Sequence, residues 1–265
     1  MAKTLASIIV LGVLMIGTSA APAGTTGTLA LSHAILTGPV NQVECPSGTD
    51  ASTACFQTSG TGLVPGLGVV SEQYLNYVED ADSSCERWHS TPILSVKGKG
   101  ELDLAVHPAQ VCVAPTTGVL NASLVFTVTG GSGMYAGASG QGTFVTRGGP
   151  GTTGRNADTL GGSLTVPNVV FDVQPPVLSG AVSRTVLAPR NARAARVTFK
   201  VTAKDTGPPT PRPPCQGSMC DLVPVRCKPH SGTRFKLGRT RVVCSATDDS
   251  ANKATARFTV TVKRR

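Results

Sequence analysis

Aromatic side chains are scarce in this chain. One tryptophan, three tyrosines and seven phenylalanines serve 265 residues, and the segment after residue 171 has neither tyrosine nor tryptophan. That shortage argues against base stacking as a recognition device in the second half of the chain. Long apolar runs are missing too. Beyond the first twenty residues nothing approaches the ~20 consecutive apolar residues of a membrane-spanning helix. Apolar positions recurring at helical spacing are absent, which excludes a helical bundle. The four histidines, His33, His89, His107 and His230, share no metal-ligand spacing, and no C-x-x-C pair occurs. The run from Gly130 to Met134 does not make the G-x-S-x-G elbow of a serine hydrolase. Composition and motifs together predict no catalytic residues, no cofactor and no metal.

Glycine, proline, threonine and valine are abundant instead, as in a β-rich exported protein. Lys3, the apolar run Leu5 to Gly17 and the small residues Thr18, Ser19 and Ala20 read as a signal peptide over residues 1–20. Eight cysteines, an even number, suit an oxidising compartment. They fall in two sets: Cys45, Cys55, Cys85 and Cys112, then Cys215, Cys220, Cys227 and Cys244. Each set allows three connectivities. Pairing between neighbours is the expectation, and each closed loop would stabilise by about 2–4 kcal/mol.

Charge divides the chain. Residues 21–171 carry five Lys/Arg against ten Asp/Glu, whereas residues 172–265 carry eighteen against five. Pro175 and Pro176 mark the boundary, because paired prolines stiffen a linker and cannot sit inside a central strand. Two domains are expected, over residues 25–170 and 172–265. The basic one would generate a field that attracts polyanions.

In that basic domain, Arg196 to Ala203 alternates strictly, with Val197, Phe199, Val201 and Ala203 on one face. Thr240 to Ala246 and Arg257 to Val262 repeat the pattern. Strands with one polar face predict antiparallel packing. Asp248 to Asn252 reads as a turn whose short polar side chains bond their own backbone. Asp205, Asp248 and Asp249 offer a calcium reading, but three carboxylates fall short of the six to eight oxygens calcium takes.

Four pieces of this segment resemble the hyalin-repeat (HYR) module. Asp172 to Val177 is similar to its "D-x-x-P-P-V" opening, and Val197 to Asp205 to "V-x-F-x-V-x-A-x-D". Cys227 to Cys244 is similar to "C-x-P-x-S-G-x-x-F-x-x-G-x-T-x-V-x-C", and Ala246 to Val262 to "A-T-D-x-x-x-N-x-A-x-x-x-F-x-V-x-V". The resemblance implies an immunoglobulin-like β-sandwich of extracellular proteins, used for adhesion or protein contact. The chain departs from it at Leu178 and Ser179, where the family often has a cysteine, and in the proline-rich insert Gly207 to Pro214.

In the N-terminal domain, Leu120 to Val128 is the clearest strand, with Val96 to Val106 and Leu160 to Val166 as further ones. Thr129 to Phe144 is dense in glycine, but no Gly-Lys-Ser/Thr follows, so a tight strand connection is expected rather than a phosphate loop. Gly130 to Thr143 resembles the "G-G-T-G-x-Y/F-A-G-A-x-G-x-G-T" signature of allene oxide cyclase-like and dirigent-like barrels. That resemblance implies an eight-stranded antiparallel barrel with an apolar pocket.

Glu79, Asp80, Asp82 and Glu86 form an acidic stretch near Trp88, read as a solvated loop held by Cys85 rather than a glycosidase pair. Tyr74, Tyr77, Trp88 and Tyr135 suit core packing or a pocket mouth. The whole chain therefore predicts an all-β, secreted, non-enzymatic binding or adhesion protein. It would be an N-terminal antiparallel β-barrel followed by a C-terminal immunoglobulin-like β-sandwich. Expected partners are an extracellular or envelope protein or a polyanionic polymer, with no specific nucleic acid. The alternative expectation is a small-ligand barrel with isomerase- or cyclase-like activity.

Overall fold

A computed structural model describes residues 26–51, 53–79, 85–112, 117, 119–148, 154–207 and 222–265. The segment read as a signal peptide, Asp80, Asp82, Cys215, Cys220 and all of the proline-rich insert after Gly207 lie outside the described residues. Among the described residues no helix is long and apolar enough to cross a membrane.

The first nine strands are β1 (Thr26–Val43), β2 (Ala54–Val64), β3 (Gly68–Glu79), β4 (Cys85–Ser90), β5 (Ile93–Val96), β6 (Gly100–Cys112), β7 (Leu120–Gly131), β8 (Ser139–Gly148) and β9 (Arg155–Pro167). They make one antiparallel sheet in the order β2-β1-β9-β8-β7-β6-β4-β3-β5, and β2 pairs with β3 to close it. β4 and β5 both lie between β3 and β6, so they share one staff position and the barrel has eight. The break between them holds Pro92, which lacks the N–H a continuous ladder needs.

Alternation decides which side chains enter the barrel. Val70, Glu72, Tyr74, Asn76 and Val78 of β3 are buried between exposed or half-buried neighbours. Leu124, Phe126, Phe144, Leu160 and Leu164 fill the middle. Gly142 and Gly162 face each other across β8 and β9. A Cβ on Gly142 would meet the Gly161 carbonyl at 2.0 Å and the Phe126 ring at 2.9 Å, so only glycine lets β8 lie against that ring.

The glycine-dense segment is the expected tight connection. β7 ends at Gly131, one 3₁₀ turn spans Gly133–Tyr135, and β8 begins at Ser139. Tyr135, 1% exposed, closes this end of the barrel. The predicted strand Val96 to Val106 is corrected: a turn at 97–99 splits it between β5 and β6, with Gly98 at φ 72°. Two basic residues flanking a glycine favour that reversal over a continuous strand.

The remaining strands are β10 (Val177–Ser179), β11 (Arg184–Leu187), β12 (Ala194–Arg196), β13 (Thr202–Lys204), β14 (Leu222–Val223), β15 (Val225–Lys228), β16 (Arg234–Lys236), β17 (Gly238–Thr247) and β18 (Lys253–Lys263). They form three small sheets: β11-β18-β17-β15, β10-β13-β14 and the ribbon β12-β16. All the pairings are antiparallel except β11 with β18, which is parallel. Phe199, Phe235 and Phe258 meet edge to face at the centre of a core completed by Val197, Val242, Val260 and Val262.

The strand expected over Arg196 to Ala203 forms ladders only at its two ends. Its inward face is as predicted, with Val197, Phe199 and Ala203 buried. Between the ladders Ser231 replaces the missing partner strand. Its hydroxyl accepts from the Phe199 N–H at 2.8 Å and donates to the Phe199 carbonyl at 2.6 Å. Both backbone groups of a buried segment are thereby satisfied by one side chain.

Three neighbour pairings are present as disulfides: Cys45–Cys55, Cys85–Cys112 and Cys227–Cys244. The last two join directly opposed residues of antiparallel ladders, with Cα atoms 4.0 Å apart. The two parts of the chain touch where the Gly66 N–H donates to the Ser250 carbonyl at 2.7 Å.

Candidate functional site

The barrel interior is not uniformly apolar. Thr58, Glu72, Asn76, Ser90, Thr146, Asn156 and Asp158 are all buried. Strand register gathers them toward the end that carries the β1–β2 hairpin and the disulfides Cys45–Cys55 and Cys85–Cys112. Tyr74 donates its hydroxyl hydrogen to Asp158 Oδ2 at 2.6 Å. Asn156 donates to the same carboxylate and to the Tyr74 oxygen. Asn76 donates to Thr58 Oγ1 at 3.1 Å.

Glu72 and Asp158 interact across the barrel interior. They are 2% and 0% exposed, and no lysine or arginine is buried among the described residues. Two carboxylates cannot both stay ionised there. Burial, then the Asp158 charge, pushes Glu72 far above the ordinary carboxylate range. Burial also raises Asp158, while hydrogen bonds from Thr146, Tyr74 and Glu72 hold it back. The pair therefore keeps a proton at neutral pH, with Asp158 the more anionic partner. Burial raises the Tyr74 hydroxyl first, with the Asp158 charge adding to it, so it stays a donor.

Both Glu72 oxygens, Asp158 Oδ1 and Asn156 Oδ1 find no ordinary hydrogen-bond donor among the described residues. A proton kept on one of the acids would serve one of these oxygens. The other acceptors remain open to water or a donor-bearing ligand. Behind Glu72 the wall is thin. A Cβ on Gly60 would lie 2.2 Å from Glu72 Oε1. A groove of about 370 Å3, lined by Thr37, Ser59, Thr61, Ser71 and Gln73, reaches Glu72 there.

None of these carboxyls was among the candidates the sequence offered. The signal existed: Glu72 and Asn76 fall in phase with Val70 and Val78, and Asp158 with Leu160 and Leu164. A charged residue on the apolar face of a strand marks a group that must be paired or neutralised.

The predicted candidates are placed as follows. Glu79 lies near Arg87 and His89, at 4.0 and 3.7 Å, on the barrel surface. Glu86 accepts from the Trp88 indole at 3.0 Å. Tyr77 stacks on His89 with centroids 4.9 Å apart. His107 and His230 are exposed, and the His33 side chain lies outside the described residues. Tyr74 is part of the acid network rather than a pocket rim.

The calcium reading is corrected in its membership. Asp172, Asp205 and Asp248 come together, with their carboxylate oxygens within 4.8 Å of one another, and exposed Asp249 is not among them. Asp248 behaves as the turn residue expected. Its Oδ1 accepts the N–H groups of Ser250 and Asn252 at 3.0 and 2.8 Å. Asp172 likewise accepts from the Gln174 N–H.

The basic residues of β12, β15, β16, β17 and β18 project outward, because the inward positions belong to the phenylalanine core. Arg196, Arg226, Arg234, Lys236, Arg239, Arg241 and Arg257 are all exposed.

Residues 171–262 match the family model of the HYR domain. Comparison with curated proteins gave no match.

Proposed function

We propose that this protein works outside the cell as a binding protein, and that its HYR domain holds it to an anionic surface or polymer. One observation carries the reading. The residues matching an extracellular adhesion-type module, 171–262, carry fifteen Lys/Arg against five Asp/Glu. The phenylalanine core leaves that charge exposed. Such a field concentrates anionic partners and weakens with salt. The disulfides Cys45–Cys55, Cys85–Cys112 and Cys227–Cys244 fit an oxidising compartment. An immunoglobulin-like arrangement of the small sheets is part of this reading, supported by their shared core. The test is retention of the mature chain on heparin and on isolated cell envelope as salt rises. Retention that does not weaken with salt refutes an electrostatic attachment.

A second reading concerns the barrel and rests on the Glu72–Asp158 pair. An apolar barrel holding one shared proton and several open acceptors suits a small ligand with a hydroxyl or amine donor. The same pair could move a proton on such a ligand, in keeping with the isomerase- or cyclase-like activity that the Gly130 to Thr143 resemblance implies. Native mass spectrometry of the purified chain tests it. A small molecule lost on Asp158→Asn supports the reading, and an empty barrel in both forms counts against it.

A further inference from the structure

The ribbon β12-β16 places two like charges directly opposite each other. Ala194 pairs with Lys236, Ala195 with Phe235, and Arg196 with Arg234. Ala195 and Phe235 point into the core, so Arg196, Arg234 and Lys236 share the solvent face. Like charges opposed across a β-pair are destabilising. Among the described residues no carboxylate pairs with either arginine to relieve it.

Two features turn this opposition into a site. Arg196 is anchored by its own Nε, which donates to the Gly232 carbonyl at 2.6 Å. That bond orients the guanidinium, and among the described residues nothing else engages its terminal nitrogens. A fixed fork is the arrangement that binds carboxylate, sulfate or phosphate through two parallel hydrogen bonds. The arginines also border a groove of about 860 Å3, whose other walls are Pro189, Ala192, Ala194, Gly232 and Thr233. A turn shapes its far side: the Ala192 N–H donates to the Pro189 carbonyl, and Asn191 sits at φ 63°. Arg190 and Arg193, both exposed, flank the same turn.

We propose that this groove binds an acidic polysaccharide, with Arg196 and Arg234 holding its carboxylate or sulfate groups while Pro189, Ala192 and Ala194 pack against sugar carbons. The inference rests on the reading of the HYR domain as the anion-binding part and names the place on it. Small apolar side chains beside charged forks suit a ring that is apolar on its face and anionic at its edge. A bare phosphate chain has no use for such a wall.

The test measures binding of a size-defined heparin oligosaccharide to the whole mature chain by calorimetry. Arg196→Gln with Arg234→Gln is expected to weaken binding about tenfold or more, because two charge-assisted contacts are lost. A control pair on the other sheet, Arg239→Gln with Arg241→Gln, removes the same charge from exposed positions of β17 and is expected to change binding less than about threefold. Arg196→Lys with Arg234→Lys keeps the charge but not the fork, and an intermediate loss is expected.

The outcomes separate. If the wild-type chain binds no polyanion, the broader reading of the HYR domain falls, and this inference with it. If the wild type binds and the ribbon pair matters no more than the β17 pair, only the groove is wrong. Tighter binding of inorganic polyphosphate than of the oligosaccharide overturns the polysaccharide assignment. Full binding by the lysine variant overturns the role of the forks, whatever the melting behaviour of the glutamine variant.

Discussion

Replacing Glu72 by glutamine should remove much of the pH dependence of the barrel's stability. Glu72 is 2% exposed and faces Asp158, 0% exposed, with no buried cation among the described residues to balance them. Its pKa is raised from an ordinary 4.5 to about 10. A group raised on folding contributes stability that is complete below the unfolded value and is lost as pH climbs toward the folded one. Between those values the folded chain holds about one more proton than the unfolded chain, so stability falls by about 1.4 kcal/mol per pH unit. From pH 6 to pH 8 the loss is about 3 kcal/mol, or about 5–10 °C in the melting temperature of a domain this size. Glu72→Gln cannot ionise, and its amide can donate to Asp158. The variant should melt at or above the wild type at pH 8, with a clearly shallower slope. Calorimetric melts from pH 5 to 9 with disulfides intact provide the readout. Contributions common to both proteins cancel, so the difference between the curves reports on the Glu72–Asp158 pair. A wild-type Tm that is flat or rises from pH 6 to 8, or a variant as steep as the wild type, refutes the shared proton.

Ser231→Ala removes both hydrogen bonds to the buried Phe199 backbone and should cost about 1–3 kcal/mol in denaturant melts. Removing Cys227–Cys244 as a double alanine variant opens a loop of sequence separation 17 and should cost about 3 kcal/mol, read the same way. Gly60→Ala would push a methyl into Glu72 and should lower stability and shift the pH profile set by the acid pair, whereas an unchanged profile would place Glu72 elsewhere. Thiol titration of the unfolded, unreduced chain should find no free cysteine, including Cys215 and Cys220; two reactive thiols would show that pair reduced.

Alternation on one strand is a local property, and sequence alone determined it. The inward faces of Leu120 to Val128, Thr240 to Ala246 and Arg257 to Val262 follow from period two, and the turn at Asp248 from short-range backbone bonding. Charge asymmetry was legible for the same reason, since it needs only counting. The neighbour cysteine pairings at Cys45–Cys55, Cys85–Cys112 and Cys227–Cys244 could be guessed but not chosen from sequence, because which strands lie side by side is a long-range matter. Tertiary structure alone decided the rest. It opposed Glu72 to Asp158, residues 86 positions apart in the chain, by closing eight strands around one interior. It let Ser231 stand in for a strand beside Phe199, and it set Arg196 against Arg234. Each is a meeting of residues distant in sequence, and period-two patterning says which face a side chain takes but not what it will face.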